Sequence, residues 1–374
     1  QHTMFLLVMM VKLFVIYHSI NQGRCQESNE CPSGLRCLAP EDCEPMTTVL
    51  PPYNPCSLNK ENVCCPEFNI SSLTTNSLIN KSKRSTDKQH SPSQIACEEH
   101  RKRRVFVCRR IIPTRKFNVH RHIVGGSNAR IHEFGHMALL GYQSQDVTEE
   151  FCAICGGTLI SDDWVLTAAH CIAKGQCQDV PNIVHLGEHD TSLSAGSVVS
   201  IPIKETVVHP QYIPSPQYND IALIRLETSV QITRLIYPAC LPANISDTYE
   251  NARGTVTGWG KLSFGGETSN VLQKAFVSII NNTDCREKYG TLKSIPNGIS
   301  DSQLCAGVPE GNVDACSGDS GGPLQRFIGS RCLYEVFGIV SMGVGCGDPN
   351  FPGVYTRVTE YVEWIEGIVW PKGD

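Results

Sequence analysis

A serine stands in a short glycine-rich stretch near the C-terminal end of the 374-residue chain, at residues 316–323 with the sequence CSGDSGGP. Glycines on both sides permit a tight turn that leaves the hydroxyl of Ser320 accessible and neighbouring backbone N–H groups available. Such a turn favours attack on a carbonyl. The alternative is a glycine-rich surface turn with an incidental serine. A base and an orienting acid upstream would favour the first interpretation.

A candidate base and a candidate acid precede this serine. His170 follows the apolar run WVLTAA at 164–169, and the adjacent Cys171 can tie back to Cys155. Asp220 begins a second apolar run, DIALIRL at 220–226. Both stretches, and their order ahead of Ser320, resemble the chymotrypsin family of serine proteases.

The resemblance implies a role for each of these residues. Ser320 attacks the peptide carbonyl, and His170 takes its proton and later gives it to the leaving amine. Asp220 holds the imidazole and stabilises its charged form. The backbone N–H groups of Gly318 and Ser320 bind the oxyanion.

The same resemblance predicts which residues bind the substrate. Asp314 stands where the family has the floor of its primary pocket, so a carboxylate there implies cleavage after Arg or Lys, and Ala315, lacking a hydroxyl, favours Arg. Gly343 and Gly353 stand at wall positions and leave the pocket open. Ser341 belongs to the edge strand that binds the substrate backbone.

The run HIVGG at 122–126 resembles the activation junction of zymogens in this family. The resemblance implies that a cut between His122 and Ile123 frees an ammonium group, which pairs with the carboxylate of Asp319. Most family members have Arg or Lys before the cut, so His122 is a departure. It matches the Persephone- and Snake-like group of arthropod proteases and predicts an activating protease that is not trypsin-like.

Three segments precede the junction. Residues 1–23 are predicted to be a signal peptide or leader, because a charge precedes an apolar run shorter than a bilayer requires; a buried strand or helix is the alternative. Residues 25–65 hold seven cysteines and need cross-links to fold. Residues 66–122 are interpreted as a linker and activation segment, whose basic run at 100–104 is either solvated or a secondary processing site.

The segment 25–65 ends in VCCP at 63–66 and resembles the six-cysteine clip domain of secreted arthropod serine proteases. One cysteine is surplus, and either Cys25 or Cys31 could be the first of the six. A zinc knuckle is the second interpretation, but paired Cys-x-x-Cys motifs and histidines are missing from the segment.

The composition indicates the compartment. Nineteen cysteines indicate an oxidising, extracellular environment, here haemolymph by the resemblance, and the four glycosylation sequons are permitted there, at Asn69, Asn80, Asn244 and Asn281. A net charge of -5 does not suggest nucleic acid as a partner.

The resemblance also implies disulfides. The expected pairs are Cys155–Cys171, Cys285–Cys305, Cys316–Cys346 and Cys97–Cys240, and Cys152 and Cys177 are candidates for a further bridge. Cys108 and Cys332 have no obvious partner, and the odd total leaves at least one thiol free or intermolecular.

No metal and no cofactor are predicted. The run HEFGH at 132–136 matches the zinc-protease pattern, but that pattern requires a helix, and here Gly135 and a strand-like run interrupt one. Glu188 matches one ligand of the calcium loop found in the family, yet residues 192–203 contain no acidic residue to complete a site.

The resemblance implies an all-β fold for residues 123–374: two six-stranded antiparallel barrels with the triad between them, followed by a C-terminal helix. The apolar face of that helix comprises Val358, Tyr361, Val362, Ile365, Ile368 and Val369.

The function that the resemblance implies is that of a secreted serine endopeptidase zymogen acting on another protease zymogen in a haemolymph cascade of immunity or development. Its expected partners are an upstream protease and serpin inhibitors, with no nucleic acid or membrane. The alternatives are a catalytically silent homologue that acts as a binding cofactor and, more remotely, a zinc protease.

Overall fold

A computed structural model describes residues 35–38, 63–66, 90–104, 126–144, 151–172, 180–193 and 198–371, except for 263–264, 291, 293–294, 296, 309–315, 317, 330–332, 346 and 349. The chain divides into two units, Gln1–Lys88 and Gln89–Asp374. In the first unit, strands β1 (Leu35–Leu38) and β2 (Val63–Pro66) form an antiparallel pair. The remainder of the predicted clip domain and the predicted leader lie outside the described residues.

The second unit begins with helix α1 (Pro92–Arg104). Proline is favoured in the first helical position, and the side chain of Gln94 accepts a hydrogen bond from Ser91 N–H at 3.1 Å, which is one half of a capping box. Cys97 is disulfide-bonded to Cys240. The part of the predicted linker from Pro92 to Arg104 is therefore a helix that belongs with the second unit.

The first barrel comprises six antiparallel strands: β4 (Met137–Tyr142), β5 (Cys152–Leu159), β6 (Trp164–Thr167), β7 (Ile183–Leu186), β8 (Val199–Val208) and β9 (Ala222–Leu226). They close in the order β4-β5-β6-β9-β8-β7. Apolar side chains fill its interior, as expected for a barrel of this size. Its fully buried core includes Ala138, Leu140, Leu159, Leu166, Val184 and Leu223.

The second barrel comprises β10 (Arg253–Gly258), β11 (Gln273–Ile280), β12 (Gln303–Gly307), β13 (Pro323–Ile328), β14 (Leu333–Met342) and β15 (Gly353–Arg357). The order β10-β13-β14-β15-β12-β11 closes because β10 also pairs with β11, and the short β3 (Ser127–Asn128) adds to β11. In β11, burial alternates along the strand, as in a sheet with one face on the core.

Two further helices complete the unit. Helix α2 (Asn282–Tyr289) is capped by Asn281, whose side chain accepts a hydrogen bond from Thr283 N–H. A 3-10 turn (Val358–Tyr361) leads into α3 (Val362–Val369), and Val358, Tyr361 and Ile365 pack into the core of the first barrel. The predicted double barrel with its C-terminal helix is confirmed. In the described part of the chain, no helix has the length and apolar character needed to cross a membrane.

Candidate active site

Strand pairing in the first barrel brings His170 and Asp220 together. His170 lies in a 3-10 turn (Ala169–Ile172) just after β6, and Asp220 lies just before β9, which pairs with β6. The ring Nδ1 of His170 is 2.7 Å from Asp220 Oδ2, and the backbone N–H of His170 donates to Asp220 Oδ1 at 2.9 Å. Because a carboxylate only accepts, Nδ1 carries the proton, and Nε2 remains as the basic nitrogen.

Asp220 is completely buried, and polar groups from the second barrel compensate for its burial. Ser341, near the end of β14, donates its hydroxyl to Asp220 Oδ2 at 2.5 Å. Thr356 on β15 donates its hydroxyl to the carbonyl oxygen of Asp220 at 2.7 Å. The acid is thus held by both barrels, which fixes the orientation of the His170 ring.

The sequence predicted for Ser341 only a place on the strand that binds the substrate backbone, and this stays a prediction. Its side chain is buried and directed at Asp220. A serine in an apolar strand is a weak hint of a buried polar partner, because a buried hydroxyl needs one. The local sequence contains nothing that identifies this partner.

The turn that carries Ser320 packs against the first barrel. The carbonyl of Ser320 accepts a hydrogen bond from Gly156 N–H on β5 at 2.8 Å. Gly321 has a φ of 76°, and a Cβ there would lie 3.0 Å from Cys171 Sγ. Since Cys171 Sγ is itself 3.8 Å from His170 Nε2, the basic nitrogen lies on the side of the ring where this turn packs.

Asp319, next to Ser320, is an almost completely buried carboxylate. It accepts backbone hydrogen bonds from Gly260 at 2.8 Å and from Cys316 at 2.9 Å. Side chains at Gly258 and Gly260 would overlap with it, so both positions require glycine. Burial raises the pKa of Asp319 to about 6, and no cationic side chain contacts it within the described residues.

The remaining predicted site residues are described only in part. Gly353 is the buried first residue of β15, and Gly343 directly follows β14. A Cβ at Gly343 would meet the carbonyl oxygen of Gly345 at 3.5 Å, an ordinary van der Waals contact. His122, Ile123 and Asp314 lie outside the described residues.

Three of the predicted disulfides are present: Cys155–Cys171, Cys285–Cys305 and Cys97–Cys240. Cys152 and Cys316 are also disulfide-bonded, and the partners predicted for them, Cys177 and Cys346, lie outside the described residues. Cys155, Cys171 and His170 cluster closely enough to suggest a metal site, but the two sulfurs are bonded to each other and cannot act as thiolate ligands.

The zinc-protease pattern at 132–136 does not lie on a helix. His132 is exposed in a turn with a φ of 71°. His136 is completely buried at the start of the first barrel, where its Nε2 contacts the side chain of Gln325. The two histidines therefore do not form the pair of ligands that the pattern requires.

The double barrel, the His170–Asp220 pair and the adjoining turn with its half-buried Ser320 define a serine endopeptidase. The trypsin family model matches residues 123–365. The chain therefore belongs to the trypsin family, and the resemblance to arthropod clip-domain proteases inferred from the sequence is confirmed. The domain boundaries predicted ahead of residue 123 stay predictions.

Three relatives illustrate the similarity. The chain is 38% identical over 256 residues to serine protease snk of Drosophila melanogaster, a match that covers 67% of this chain and 57% of that protein. It is 37% identical over 246 residues to trypsin-1 of Astacus astacus, covering 65% of this chain and 98% of that protein. It is 36% identical over 266 residues to phenoloxidase-activating factor 1 of Holotrichia diomphalia, covering 67% and 70%.

Proposed function

We propose that this chain is a secreted zymogen of an endopeptidase that cleaves proteins after arginine and, less efficiently, lysine. The observation that carries the proposal is the His170–Asp220 hydrogen bond of 2.7 Å beside the turn of Ser320. In this mechanism Ser320 attacks the carbonyl, His170 Nε2 takes the proton and returns it to the leaving amine, and Asp220 stabilises the imidazolium.

The oxyanion would be bound by the backbone N–H groups of Gly318 and Ser320. The φ of 100° at Gly318 supports this role, because that backbone conformation turns its peptide away from a regular strand and suits only glycine. Two preorganised N–H donors favour the charge that develops in the transition state over the neutral carbonyl of the substrate.

The preference for basic residues would come from Asp314 at the floor of the primary pocket, with Gly343 and Gly353 on its walls. A guanidinium group pairs with a carboxylate through two parallel hydrogen bonds, and Ala315 provides no hydroxyl to solvate a lysine ammonium. The test is Asp314→Ser: its kcat/KM on arginyl substrates should fall steeply. Full retention of arginyl activity would disprove the pocket assignment.

Activation would follow cleavage between His122 and Ile123. The buried carboxylate of Asp319 supports this step, because it lacks a cationic partner within the described residues and a new ammonium group at Ile123 could provide one. His122 predicts an activator that tolerates His or Leu before the cut. Efficient cutting by a trypsin-like enzyme, with none by a His-tolerant one, would contradict this.

The proposed substrate is another protease zymogen in an extracellular haemolymph cascade. One relative is named as a phenoloxidase-activating factor, which is consistent with action on a protein in such a cascade. The proposed partners are that zymogen, an upstream activating protease and serpin inhibitors. Incubation of the cut protein with candidate zymogens, followed by sequencing of the new N-termini, identifies the substrate and the bond.

The decisive experiment labels the cut protein with a fluorophosphonate probe, using Ser320→Ala as the matched control. Labelling that requires both the cut and Ser320 is expected for an activated serine nucleophile. Cut protein that does not react would favour the alternative of a catalytically silent binding cofactor.

A further inference from the structure

Two asparagines of the second unit begin Asn-x-Ser/Thr sequences that the proposed mechanism does not use. Asn244 lies in a turn shortly after Cys240, and Asn281 directly follows β11. Both residues are exposed, and neither lies inside a strand or a helix, as expected of a surface acceptor for an N-linked glycan. The other two sequences of this kind, at Asn69 and Asn80, lie outside the described residues.

The side-chain oxygens of the two asparagines make the same kind of hydrogen bond. Asn244 Oδ1 accepts from Ser246 N–H at 3.2 Å, and Asn281 Oδ1 accepts from Thr283 N–H at 2.7 Å. In each case the donor is the backbone two residues further on, as in an Asx turn, and the bond at Asn281 also caps α2. Because a backbone N–H only donates, the atom that faces it is the amide oxygen.

This arrangement leaves the two amide nitrogens available. The oxygen and nitrogen of an amide lie on opposite sides of its carbon, so Nδ2 faces away from the backbone that binds Oδ1. Among the residues that the structure describes, none accepts a hydrogen bond from Nδ2 of Asn244 or Asn281. A sugar on either nitrogen would therefore break no hydrogen bond of the protein.

Three asparagines at other positions use Nδ2 differently. The Nδ2 atoms of Asn182, Asn219 and Asn282 each donate a hydrogen bond to a backbone carbonyl at 2.9 Å. A sugar on any of these nitrogens would disturb such a bond. The contrast is sharpest between the neighbours Asn281 and Asn282, since the nitrogen of the second is bonded within the protein and that of the first is not.

We propose that Asn244 and Asn281 each carry an N-linked glycan on Nδ2, while Oδ1 keeps its bond to the backbone. The co-reactant is an oligosaccharide linked to a polyprenyl diphosphate. Its C1–O bond breaks with the electron pair going to the diphosphate, a C1–Nδ2 bond forms, and one of the two amide protons is released to a base. The inference rests on passage through the secretory pathway, which is part of the proposed function.

The test expresses the full chain in cultured insect cells, once with its own first residues and once behind a foreign secretory leader. Secreted protein is digested and treated with peptide-N-glycosidase A in heavy-oxygen water, which converts each glycosylated Asn to a labelled Asp. Mass spectrometry of the peptides then reports each site by itself. We expect Asn244 and Asn281 to be labelled in most molecules.

Matched variants of the third residue distinguish glycosylation from other sources of the label. Ser246→Ala should abolish the label at Asn244, and Ser246→Thr should keep it, because either hydroxyl residue completes the acceptor sequence. Thr283→Ala and Thr283→Ser should differ in the same way at Asn281. A label that persists in the alanine variants would overturn the assignment at that site.

The two parts of the Asn281 side chain can also be tested separately. Asn281→Asp and Asn281→Ala both remove the glycan, but only the aspartate keeps an oxygen that can accept the bond from Thr283 N–H. We expect the alanine variant to melt about 2–4 °C below the aspartate variant. Equal melting temperatures would overturn the capping half of the proposed double role.

The two expression forms separate the possible failures. If the chain is secreted and Asn244 and Asn281 are unlabelled, the proposed sites are wrong and the proposed function is unaffected; a label at one position alone overturns the other. If only the form with the foreign leader is secreted, and both positions are labelled, the sites are supported and the secretion in the proposed function is contradicted.

Discussion

The carboxylate of Asp319 should make the uncut chain less stable at high pH than an amide in its place. Burial raises its pKa from 3.8 to about 6 in the folded state. A carboxyl group whose pKa is raised by folding adds stability below its unfolded pKa, and this contribution is lost as the pH rises through the folded pKa. The shift of about two units corresponds to a cost of about 3 kcal/mol above pH 6.

Asp319→Asn removes this cost and introduces a smaller one. The amide oxygen can accept one of the two backbone hydrogen bonds, from Gly260 or Cys316, and the other N–H donor then faces an NH₂ group. Losing that bond costs about 1–2 kcal/mol. We therefore expect the variant to be more stable than the wild type by about 1–2 kcal/mol near pH 8, and this gain to fall by about 2 kcal/mol near pH 4.5.

The assay is urea unfolding of the uncut chain at both pH values, in a Ser320→Ala background that prevents self-cleavage. Glu267→Gln, an exposed acid-to-amide change, should shift stability by less than about 0.5 kcal/mol at either pH. A variant that is equally destabilised at both pH values would refute the reasoning. In the active background the cut Asn variant should have little activity, because the ammonium group of Ile123 would lack its carboxylate.

Three further predictions concern contacts of the described residues. Ser341→Ala should lower kcat/KM on an arginyl amide by about tenfold while the protein stays folded, because Asp220 loses the 2.5 Å hydrogen bond. An unchanged kcat/KM would exclude a role of Ser341 in positioning Asp220. Gly321→Ala should reduce the free energy of unfolding by about 2–4 kcal/mol, because the φ of 76° and the close packing at Gly321 both exclude a Cβ. A melting temperature equal to that of the wild type would contradict this. Replacing Cys97 and Cys240 by serine should lower the free energy of unfolding of the uncut chain by up to about 5 kcal/mol, because the disulfide joins residues 143 apart in sequence. A loss below about 1 kcal/mol in urea unfolding would show that the disulfide does not constrain the unfolded chain.

The barrels and the His170–Asp220 pair could be predicted because the motifs that carry the family resemblance are local. His170 and Asp220 each adjoin a short apolar run that resembles the family's sequence. In β11, buried and more exposed residues alternate as a half-buried strand requires. The apolar face of the C-terminal helix could be predicted for the same reason. These patterns depend on a few neighbouring positions, so the sequence contains them in full.

Apart from the Cys97–Cys240 disulfide, the docking of α1 could not be predicted in this way. Its composition is polar and basic, which indicates a solvated segment, and its helical start is visible only in Ser91 and Gln94. The contacts that hold it in place lie far away in sequence: Ser93 donates its backbone N–H to Glu366 Oε1 at 3.0 Å, 273 residues later. Such pairings emerge only when the barrels are assembled.

The contact between the two barrels near Glu188 illustrates a second limit. It depends on backbone hydrogen bonds between the loops around Thr191 and Asn270, which come from different barrels. Backbone bonds of this kind carry almost no sequence signature, because every residue except proline offers the same donor and acceptor.

The Cys97–Cys240 disulfide determines what happens to the chain after activation. It joins a residue ahead of the proposed cut at His122 to one behind it, so cleavage would leave a single covalent molecule of nearly unchanged mass. Electrophoresis would reveal two pieces only after reduction. A surface that binds residues 25–65 would also retain the active protease. The proteolytic activity would therefore remain at the surface where the activating cut was made.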